Sequence, residues 1–565
     1  MTHLPTSCDL VIIGGGVTGA GIFHETTRLG LKVVLVERHD FAWGTSSRSS
    51  KLIHGGLRYL REGHFMLTRD AVKERERLLR EAPGLVMPIA FLVPIYKDHG
   101  PGRWTLEAGL SIYDLLAQKR QHRFLSADEL IAKIPFIARE ALSGGYQFWD
   151  AQVDDARLVL RLIAEGRQTG GTALNYTAAM AVDRDDKGLV RGVTLQDVET
   201  RQTHAVAAPC VFNATGCWAE ALHPQPNGKR RLRPLRGSHL LFPSQVLPVP
   251  CAVSFMHPQD GRAVFVIPWE GVVLVGTTDL DHDQDLRSEP HISPAEADYL
   301  LAAARVLFPS LGLSLDQCIA SLSGLRPIIS SGDQRAPSEE SREHDIWVDR
   351  GLVTIAGGKL TTYRRVALDA LKAAQPFLPP IERPSPDSPG FDAAEPLPPD
   401  GGIDPQLWQR LCGHYGRGAH AIATNARAGE LQCIPGTPTV WAELPYTAAH
   451  ESVRHLADLL LRRVRIGLLL PDGGQAHLAR IETLCRPVLG WDRHRWRAEV
   501  KAYLRQWQQA HGLDRQAAPV SRPKRFWQWL QGQVARLAGR FDWTATAGAK
   551  AESPPGEPPV ERLTP

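Results

Sequence analysis

Apolar residues at the start of this chain fall into two short uninterrupted runs, Leu10–Ile13 and Val33–Val36. Uninterrupted runs of this length are typical of strands buried on both faces in a parallel sheet. The stretch between them, which extends to about Gly30, has the length and pattern of a helix. The pattern therefore predicts a strand–helix–strand unit at the beginning of the chain.

Two further apolar runs, Val211–Asn213 and Leu352–Ile355, each lead into a turn of small residues. Small residues let a ligand or another backbone segment approach such a turn closely. Short strand-like segments lie between the two runs: Ser238–Phe242, Ala263–Pro268 and Val272–Gly276. These segments predict an antiparallel sheet that covers a ligand and forms a pocket.

The pattern changes after about residue 375. Residues 376–403 are rich in Pro, Gly, Ser and Asp, a composition typical of an interdomain linker. Residues 404–515 have a helical pattern with Arg-rich surfaces and predict a second, all-helical domain.

The end of the chain has two further segments. Residues 521–545 combine apolar residues at helical spacing with Trp, Lys and Arg, which predicts a basic amphipathic helix. Such a helix fits an anionic membrane surface, and equally a face of its own protein or of a second subunit. Residues 551–565 are Pro-rich, and we expect them to be disordered.

The turn between the first strand and the helix has the pattern G-x-G-x-x-G, with Gly14, Gly15, Gly16 and Gly19. In a dinucleotide-binding unit these glycines allow a tight turn, a close approach to a pyrophosphate and close packing of helix on strand. The helix N-terminus then offers free N–H groups to the phosphates. Glu37, at the end of the second strand, is suited to accept a hydrogen bond from a ribose hydroxyl, which favours FAD or NAD over NADP.

Composition narrows the class of protein. Hydrophobic residues make up 43% and charged residues 22% of the 565 residues, as in soluble globular proteins. The net charge of +4 does not by itself indicate nucleic-acid binding, and acids interrupt the Arg-rich stretches Arg454–Arg465 and Arg493–Arg505. The eight cysteines show no metal-ligand spacing, so we expect a reduced, cytosolic setting without a metal site. No apolar run is long enough to span a bilayer, so we expect any membrane contact to be peripheral.

Several motifs together resemble those of the FAD-dependent, respiratory-type glycerol-3-phosphate dehydrogenases. They are, in chain order, Ile13–Gly21, Thr45–Leu60 (TSSRSSKLIHGGLRYL), Val153–Leu160 (VDDARLVL), Asn213–Trp218, Gly237–His239, Val266–Trp269, Gly276–Asp279, Gly324–Pro327 and Gly357–Tyr363 (GGKLTTY). The strings SSKLIHGGLRYL and GGKLTTYR are long enough to be specific. The segment Glu451–Leu468 resembles the family's C-terminal cap domain, whereas the resemblance does not explain residues 521–565.

The resemblance implies an α/β + α fold. An FAD-binding Rossmann-like domain and an antiparallel substrate domain of the amino-acid-oxidase type would be interleaved over residues 1–375, ahead of the C-terminal all-helical domain. The implied reaction is oxidation of sn-glycerol 3-phosphate to dihydroxyacetone phosphate, with hydride passing to flavin N5 and electrons to membrane quinone. The resemblance also implies a cytoplasmic protein held peripherally on the inner membrane, and a homodimer is common in the family.

The residue types at the motif positions fit this chemistry. A phosphate-bearing substrate needs several cations, and we expect Arg58, Arg326, Arg342 and Lys359 to bind it, with Tyr59 as a hydroxyl partner. His239 is the predicted base for the hydroxyl proton, because an ordinary imidazole pKa near 6.5 suits proton abstraction. His54 is the competing candidate for that role.

Two of the cations have further predicted roles. We expect Arg326 to stabilise negative charge on the substrate oxygen and Lys359 to stabilise reduced flavin. The residues expected to hold the cofactor occupy the glycine turn, the end of the second strand, the Ser- and Thr-rich stretch Thr45–Lys51 (the hydroxyl-rich loop) with the adjoining Leu52, and two later small-residue turns. They are Gly14, Gly15, Gly16, Gly19, Glu37, Thr45, Ser46, Ser47, Lys51, Leu52, Gly216, Gly358, Lys359, Leu360 and Thr361.

Two other functions remain open from the sequence. An oxidase of the same type would pass its electrons to oxygen instead of quinone. A non-catalytic flavin-binding redox sensor or scaffold would use the helical domain to bind a partner. The phosphate-binding and catalytic candidates count against a sensor, which has no need of a phosphate pocket: Arg58, Arg326, Lys359 and His239.

Overall fold

The protein is described from a computed structural model. It describes residues 4–57, 60, 65–97, 100–223, 231–330, 343–382, 385, 387–393, 395–396 and 402–513. The predicted basic helix at 521–545 and the predicted tail at 551–565 lie outside the described residues. Contacts within residues 1–514 join that part of the chain into one unit.

The first strand–helix–strand unit forms as the apolar runs predict. Strand β1 (Leu10–Ile13) pairs in parallel with β2 (Val33–Val36), and helix α1 (Val17–Arg28) connects them. Both strands are fully buried, which explains their unbroken apolar sequence.

A six-stranded sheet grows from this unit. Its order is β18 (His344–Asp349), β19 (Leu352–Gly357), β11 (Cys210–Asn213), β1, β2 and β7 (Thr172–Leu174). All neighbours pair in parallel except β18, which runs antiparallel at one edge. The runs at 211–213 and 352–355 are therefore strands of the same sheet, and the small-residue turns that follow β1 and β11 lie beside each other.

Helices α5 (Asp155–Gln168) and α8 (Tyr363–Ala374) pack against α1. The cap of α5 is Asp154, whose carboxylate accepts hydrogen bonds from the amides of Ala156 and Arg157. By sequence either Asp154 or Asp155 is a natural cap for this helix, and the structure uses Asp154.

A ten-stranded sheet forms the second layer of the fold. Its main path is β16 (Leu280–Asp281), β12 (Arg231–Pro243), β15 (Val272–Gly276), β14 (Ala263–Trp269), β13 (Ala252–Met256), β4 (Val86–Tyr96), β6 (Leu142–Val153) and β3 (Leu52–Ile53), while β17 (Ala320–Ser330) pairs with β12 and β5 (Arg123–Leu125) with β6. The sheet is antiparallel, as predicted, except where β4 and β13 run parallel. Its strands alternate along the chain with those of the first sheet, so the two layers are interleaved.

Smaller elements complete the first part of the chain. A three-stranded antiparallel sheet contains β8 (Thr177–Arg184), β9 (Val190–Asp197) and β10 (Thr203–Ala207). The other helices of this part are α2 (Phe65–Glu81), α3 (Arg103–Ala117), α4 (Ala127–Lys133), α6 (Ala219–Leu222) and α7 (Pro294–Leu307).

The last part of the described chain is helical, as its pattern predicts. Its elements are α9 (Pro405–Tyr415), α10 (Gly418–Asn425), α11 (Glu443–His450), α12 (Leu456–Asp458), a π-helical turn (Leu459–Arg463), α13 (Ile466–Leu469), α14 (Leu478–Cys485) and α15 (Arg493–Ala510). The π-helical turn carries three arginines at or just beyond its end, and all three are buried: Arg462, Arg463 and Arg465. The domain boundaries at 375, 403 and 515 stay predictions.

Candidate active site

The glycine turn has the close contacts that its sequence predicts. Gly14 has φ +114°, and a Cβ on it would lie 2.5 Å from the carbonyl oxygen of Ala214 in the neighbouring turn. A Cβ on Gly19 would lie 1.8 Å from the carbonyl oxygen of Gly14. Glycine is therefore needed at both positions, one for the turn itself and one for packing α1 onto it. Gly216 begins the 3-10 turn after β11 with φ +62°.

Glu37 lies where β2 ends and ties that end to the glycine turn. Its Oε2 accepts a hydrogen bond from the amide of Gly15 at 2.7 Å, and its Oε1 accepts one from the amide of His39 at 2.8 Å. Burial raises the pKa of the Glu37 carboxyl, and these amide contacts oppose the rise. The contact of Glu37 with a ribose hydroxyl stays a prediction.

The hydroxyl-rich loop folds back onto the start of α1. The loop forms a 3-10 turn over Thr45–Ser47, and Ser46 Oγ accepts a hydrogen bond from the amide of Val17 at 2.9 Å. Thr45 Oγ1 donates to the carbonyl oxygen of Leu325. The loop therefore lies between the helix N-terminus and the second layer of the fold, where a dinucleotide would have to pass.

The Lys51 side chain pairs with a buried carboxylate, and its predicted contact with the cofactor stays a prediction. Its ammonium is fully buried and lies 2.8 Å from both carboxylate oxygens of Asp155 and 2.8 Å from the carbonyl oxygen of Ser47. The side chain therefore holds the loop together from inside. A buried ammonium takes a buried carboxylate as its partner because an unpaired charge there is strongly unfavourable, and residue spacing alone does not reveal that partner.

A cavity of about 1380 Å³ lies between the two layers. Eight of the predicted residues line it: Thr45, Leu52, His239, Arg326, Gly358, Lys359, Leu360 and Thr361. His54 lines it as well, and its carbonyl oxygen accepts a long hydrogen bond from Thr361 Oγ1 at 3.4 Å. Arg58, Tyr59 and Arg342 lie outside the described residues. The cavity thus joins residues from β3, β12, β17 and the turn after β19.

His239 lies on β12 between two neighbouring strands. It is opposite Gly276 of β15 and Leu322 of β17, and a Cβ on Gly276 would lie 2.2 Å from the imidazole Cδ2. The glycine therefore makes room for the ring. His239 Nε2 lies 2.8 Å from Ser50 Oγ, which is part of the hydroxyl-rich loop.

The pKa near 6.5 expected for His239 is wrong in this environment. Burial lowers the pKa of the imidazole to about 3, and the charges of Arg326 and Lys51 add to the effect. The ring is 1% exposed, so the protonated form loses almost all of its hydration. His239 is therefore neutral at physiological pH, and one of its ring nitrogens carries no proton.

Arg326 lies on β17 and is held in place by the segment after β15. Its Nη1 donates to Asp279 Oδ1 at 2.9 Å, and its Nη2 donates to Thr277 Oγ1 at 3.0 Å. A Cβ on Gly237 would lie 2.2 Å from Nη2, so that glycine leaves space for the guanidinium. The side chain is 24% exposed and borders the cavity, so its charge is both oriented and accessible.

Lys359 follows a backbone turn ahead of α8. Gly357 and Gly358 have φ of +74° and +86°, in the region that favours glycine. This turn places Lys359, Leu360 and Thr361 along the cavity wall. Two cations and one neutral imidazole, from three different parts of the chain, therefore border one cavity.

Two arginines and one orienting carboxylate at this cavity do not stand out as site residues in the sequence. Arg48 is buried and lies 3.2 Å from Glu289, although it belongs to the quoted TSSRSSKL string. Arg262 lies in a loop without a motif and donates to the carbonyl oxygen of Asp279 at 3.3 Å. Asp279 was quoted as part of a motif, but its role in holding Arg326 needs the fold to become visible.

The residues fit a flavin dinucleotide. The glycine turn, the start of α1 and Glu37 supply the features that bind a pyrophosphate and a ribose. The adjoining cavity is enclosed on the side of the second layer and has room for a ring system and a small substrate.

Two protein-family models match the chain. The model described as "FAD dependent oxidoreductase" matches residues 9–364, and the model described as "C-terminal domain of alpha-glycerophosphate oxidase" matches residues 355–496. The chain is 34% identical over 481 residues to the aerobic glycerol-3-phosphate dehydrogenases of Staphylococcus haemolyticus (strain JCSC1435) and Staphylococcus aureus (strain MRSA252). The alignment covers 80% of this chain and 86% of each relative.

Solved structures give the same picture. The glycerol-3-phosphate dehydrogenase from Bacillus halodurans, complexed with FAD, has a TM-score of 0.68 and 29% sequence identity, covering 89% of this chain and 95% of that one. The FAD-bound L-alpha-glycerophosphate oxidase from Mycoplasma pneumoniae has a TM-score of 0.54 and 21% identity, covering 69% of this chain and 100% of its own. The second likeness concerns the fold alone.

Proposed function

Because the chain belongs to the family of FAD-dependent oxidoreductases that includes the aerobic glycerol-3-phosphate dehydrogenases, we propose that it oxidises sn-glycerol 3-phosphate to dihydroxyacetone phosphate. FAD, the cofactor of this family, supplies the hydride acceptor when bound. The observation that supports this substrate best is the cavity in which Arg326, Lys359 and the neutral His239 meet. A secondary alcohol with a phosphate group needs a proton acceptor and fixed positive charge, and the cavity contains both.

Each side chain has a role that follows from its position. His239 accepts the hydroxyl proton at a ring nitrogen, and Ser50 orients the ring through Nε2. Arg326, oriented by Asp279, binds the substrate oxygen and stabilises the negative charge that develops on it. Lys359, in the turn between β19 and α8, adds positive charge for the phosphate or for the reduced cofactor. Both cations border the same cavity, so a bound phosphate ester lies within reach of their charges.

The test is anaerobic reduction of the bound flavin, followed as loss of its visible absorbance. We expect sn-glycerol 3-phosphate to bleach the flavin, and unphosphorylated glycerol to leave it oxidised. Arg326→Met should slow bleaching or raise the half-saturating substrate concentration by about 10- to 100-fold, as for loss of a charge-assisted hydrogen bond. Arg184→Met removes an arginine of similar exposure on the three-stranded sheet, where it pairs with Asp349 of β18 at 3.0 Å, and should leave bleaching unchanged. A holoprotein that neither compound bleaches would contradict the proposed substrate.

We further propose membrane quinone as the electron acceptor and an anionic bilayer as the surface on which the protein works. Helix α3 supports this, because its outward face carries Trp104 and Leu115, exposed by 79% and 76%, together with Ile112. Ile112 and the exposed Phe65 at the start of α2 also line the cavity, so the apolar surface is continuous with it.

Positive charge flanks this apolar face. Arg103 at the start of α3 and Arg120 just beyond its end are both exposed. Aromatic and aliphatic side chains flanked by arginine are typical of a helix that lies in the headgroup region of anionic lipid. In the described part of the chain, no helix has the length and apolar character needed to cross a membrane.

Cosedimentation with anionic lipid vesicles tests the surface. The double variant Trp104→Ser/Leu115→Ser should lose most vesicle binding and the reduction of vesicle-borne quinone, while its flavin is still bleached by substrate. Met180→Ser, which changes an exposed apolar residue on β8, is the matched control and should bind vesicles normally. Unchanged vesicle binding of the double variant would contradict the role of this surface. If removal of residues 521–565 abolishes binding instead, the terminal segment makes the membrane contact.

The electron acceptor is tested by reoxidation of the reduced flavin. Faster reoxidation by oxygen than by quinone would make the protein an oxidase. A holoprotein that neither acceptor reoxidises would favour the non-catalytic redox sensor.

A further inference from the structure

The loop that connects the cofactor turn to His239 is anchored on one carboxylate. Asp155, the first residue of α5, is fully buried. Its Oδ2 accepts hydrogen bonds from the amide of Ser49 at 2.9 Å and from Ser49 Oγ at 2.7 Å. Its two oxygens also receive the ammonium of Lys51. This one carboxylate therefore holds both Ser49 and Lys51.

A second cation reaches the same point from the C-terminal helices. Arg465, just beyond the π-helical turn, is 2% exposed, and its Nη2 donates to the carbonyl oxygen of Ser47 at 2.9 Å and to Asp155 Oδ1 at 3.3 Å. Both Arg465 and Lys51 lie over the ring of Trp269, at 5.4 Å and 5.2 Å from its centre. Arg465 thus contacts the backbone of the hydroxyl-rich loop directly, across more than 400 residues of sequence.

The same helical segment holds the beginning of that loop as well. Asp40, which follows β2, is fully buried and receives hydrogen bonds from Arg463 at 2.7 Å and from Arg462. These two guanidinium groups keep the pKa of the Asp40 carboxyl well below its usual range. Arg462 and Arg463 therefore hold the chain ahead of the loop, and Arg465 holds the loop itself at Ser47.

The two ends of the anchored stretch make contacts that matter for the reaction. Ser46, one residue before Ser47, accepts a hydrogen bond from the amide of Val17 at the start of α1, where the cofactor phosphates are expected. Ser50 contacts Nε2 of His239. A shift of the Ser47 carbonyl therefore disturbs a contact at the expected phosphate site and a contact of the proposed base together.

We propose that Arg465 is a positioning residue through which the C-terminal helical domain fixes the loop 46–50, and so sets both the affinity for FAD and the orientation of His239. This part of the molecule is then a component of the active site without touching the substrate. The role in FAD affinity rests on the family's cofactor, whereas the role in orienting His239 rests on the proposed function. Methionine at position 465 would keep most of the side-chain volume but remove both hydrogen bonds and the charge.

The experiment compares Arg465→Met, Arg465→Lys and Arg157→Met. Arg157 is a matched control, because it is equally buried and joins α5 to the C-terminal helices through Glu451 at 2.7 Å, but does not contact the loop. The dissociation constant of FAD is measured by flavin fluorescence on the apoprotein, well below each melting temperature. The rate constant of flavin reduction is measured at saturating FAD.

We expect Arg465→Met to bind FAD at least tenfold more weakly and to reduce it at least tenfold more slowly, with Arg465→Lys recovering most of both. Arg157→Met should melt at a lower temperature with FAD affinity unchanged. Normal FAD affinity of Arg465→Met would overturn the proposal, and so would an equal loss in Arg157→Met, which would indicate loosening of the whole domain. If Arg465→Met does not fold, Ser49→Ala should weaken FAD binding in the same direction, and an unchanged affinity there would also overturn the proposal. The two proposals can fail separately. If sn-glycerol 3-phosphate does not bleach the wild-type flavin but Arg465→Met still binds FAD more weakly, the proposed substrate is refuted and the role of Arg465 in FAD affinity stands.

Discussion

Adding one methyl group beside His239 tests whether the position of that ring determines the rate. In Gly276→Ala the new Cβ would lie 2.2 Å from Cδ2 and 2.9 Å from Nε2 of the imidazole. An ordinary carbon contact is about 3.5 Å, so the ring has to move by about 1 Å. Because a misplacement of about 1 Å costs roughly 100-fold in rate, we expect an increase of about 2.7 kcal/mol in the activation barrier.

The assay is rapid mixing of anaerobic holoenzyme with saturating sn-glycerol 3-phosphate, with the flavin absorbance as signal. Gly276→Ala should keep its FAD content and reduce the flavin about 100-fold more slowly. Gly102→Ala is the control, because a Cβ there meets no atom within 4 Å and the backbone conformation is ordinary. Its rate should equal that of the wild type.

A double variant shows whether the methyl group acts through the imidazole. If it does, Gly276→Ala/His239→Gln reduces its flavin no more slowly than His239→Gln alone, because the affected contact is already absent. Multiplied losses in the double variant, or a Gly276→Ala enzyme with the wild-type rate, would refute the assignment of His239 as the positioned base.

Two further predictions concern protonation and cofactor retention. Since the pKa of His239 is lowered to about 3, the ring stays neutral as the pH falls, and its base form is lost only below about pH 3. The rate constant of flavin reduction at saturating substrate should therefore show no imidazole limb between about pH 8 and pH 5.5, and a tenfold fall per pH unit below about 6.5 would contradict this. Gly16→Leu should be purified without flavin, because a Cβ at this position already lies 3.1 Å from Ser46 Oγ and the rest of the side chain fills the space expected for the pyrophosphate. A yellow Gly16→Leu protein with a normal FAD-to-protein ratio would refute that placement.

The sequence by itself determined the local parts of this protein. Runs of buried residues defined β1 and β2, the spacing of Gly14, Gly16 and Gly19 defined the turn between them, and an acid before an apolar helix defined the cap of α5. These features depend on neighbours within a few residues, so hydrophobic period, backbone sterics and capping chemistry specify them directly. The motif strings also selected the correct family, because long specific strings record a whole site at once.

Tertiary structure alone decided the state of the charged groups. The sequence does not reveal that the ammonium of Lys51 lies on Asp155, 104 residues away. It gave His239 an ordinary pKa, which burial and the charge of Arg326 lower to about 3. It offered no reason to place Arg465 at the loop of Ser47, because the partner of a buried charge is set by which surfaces the fold brings together. Periodicity indicates which side of an element is buried. Packing of the layers determines which side chains become neighbours, and these neighbours set the pKa and the orientation of each site residue.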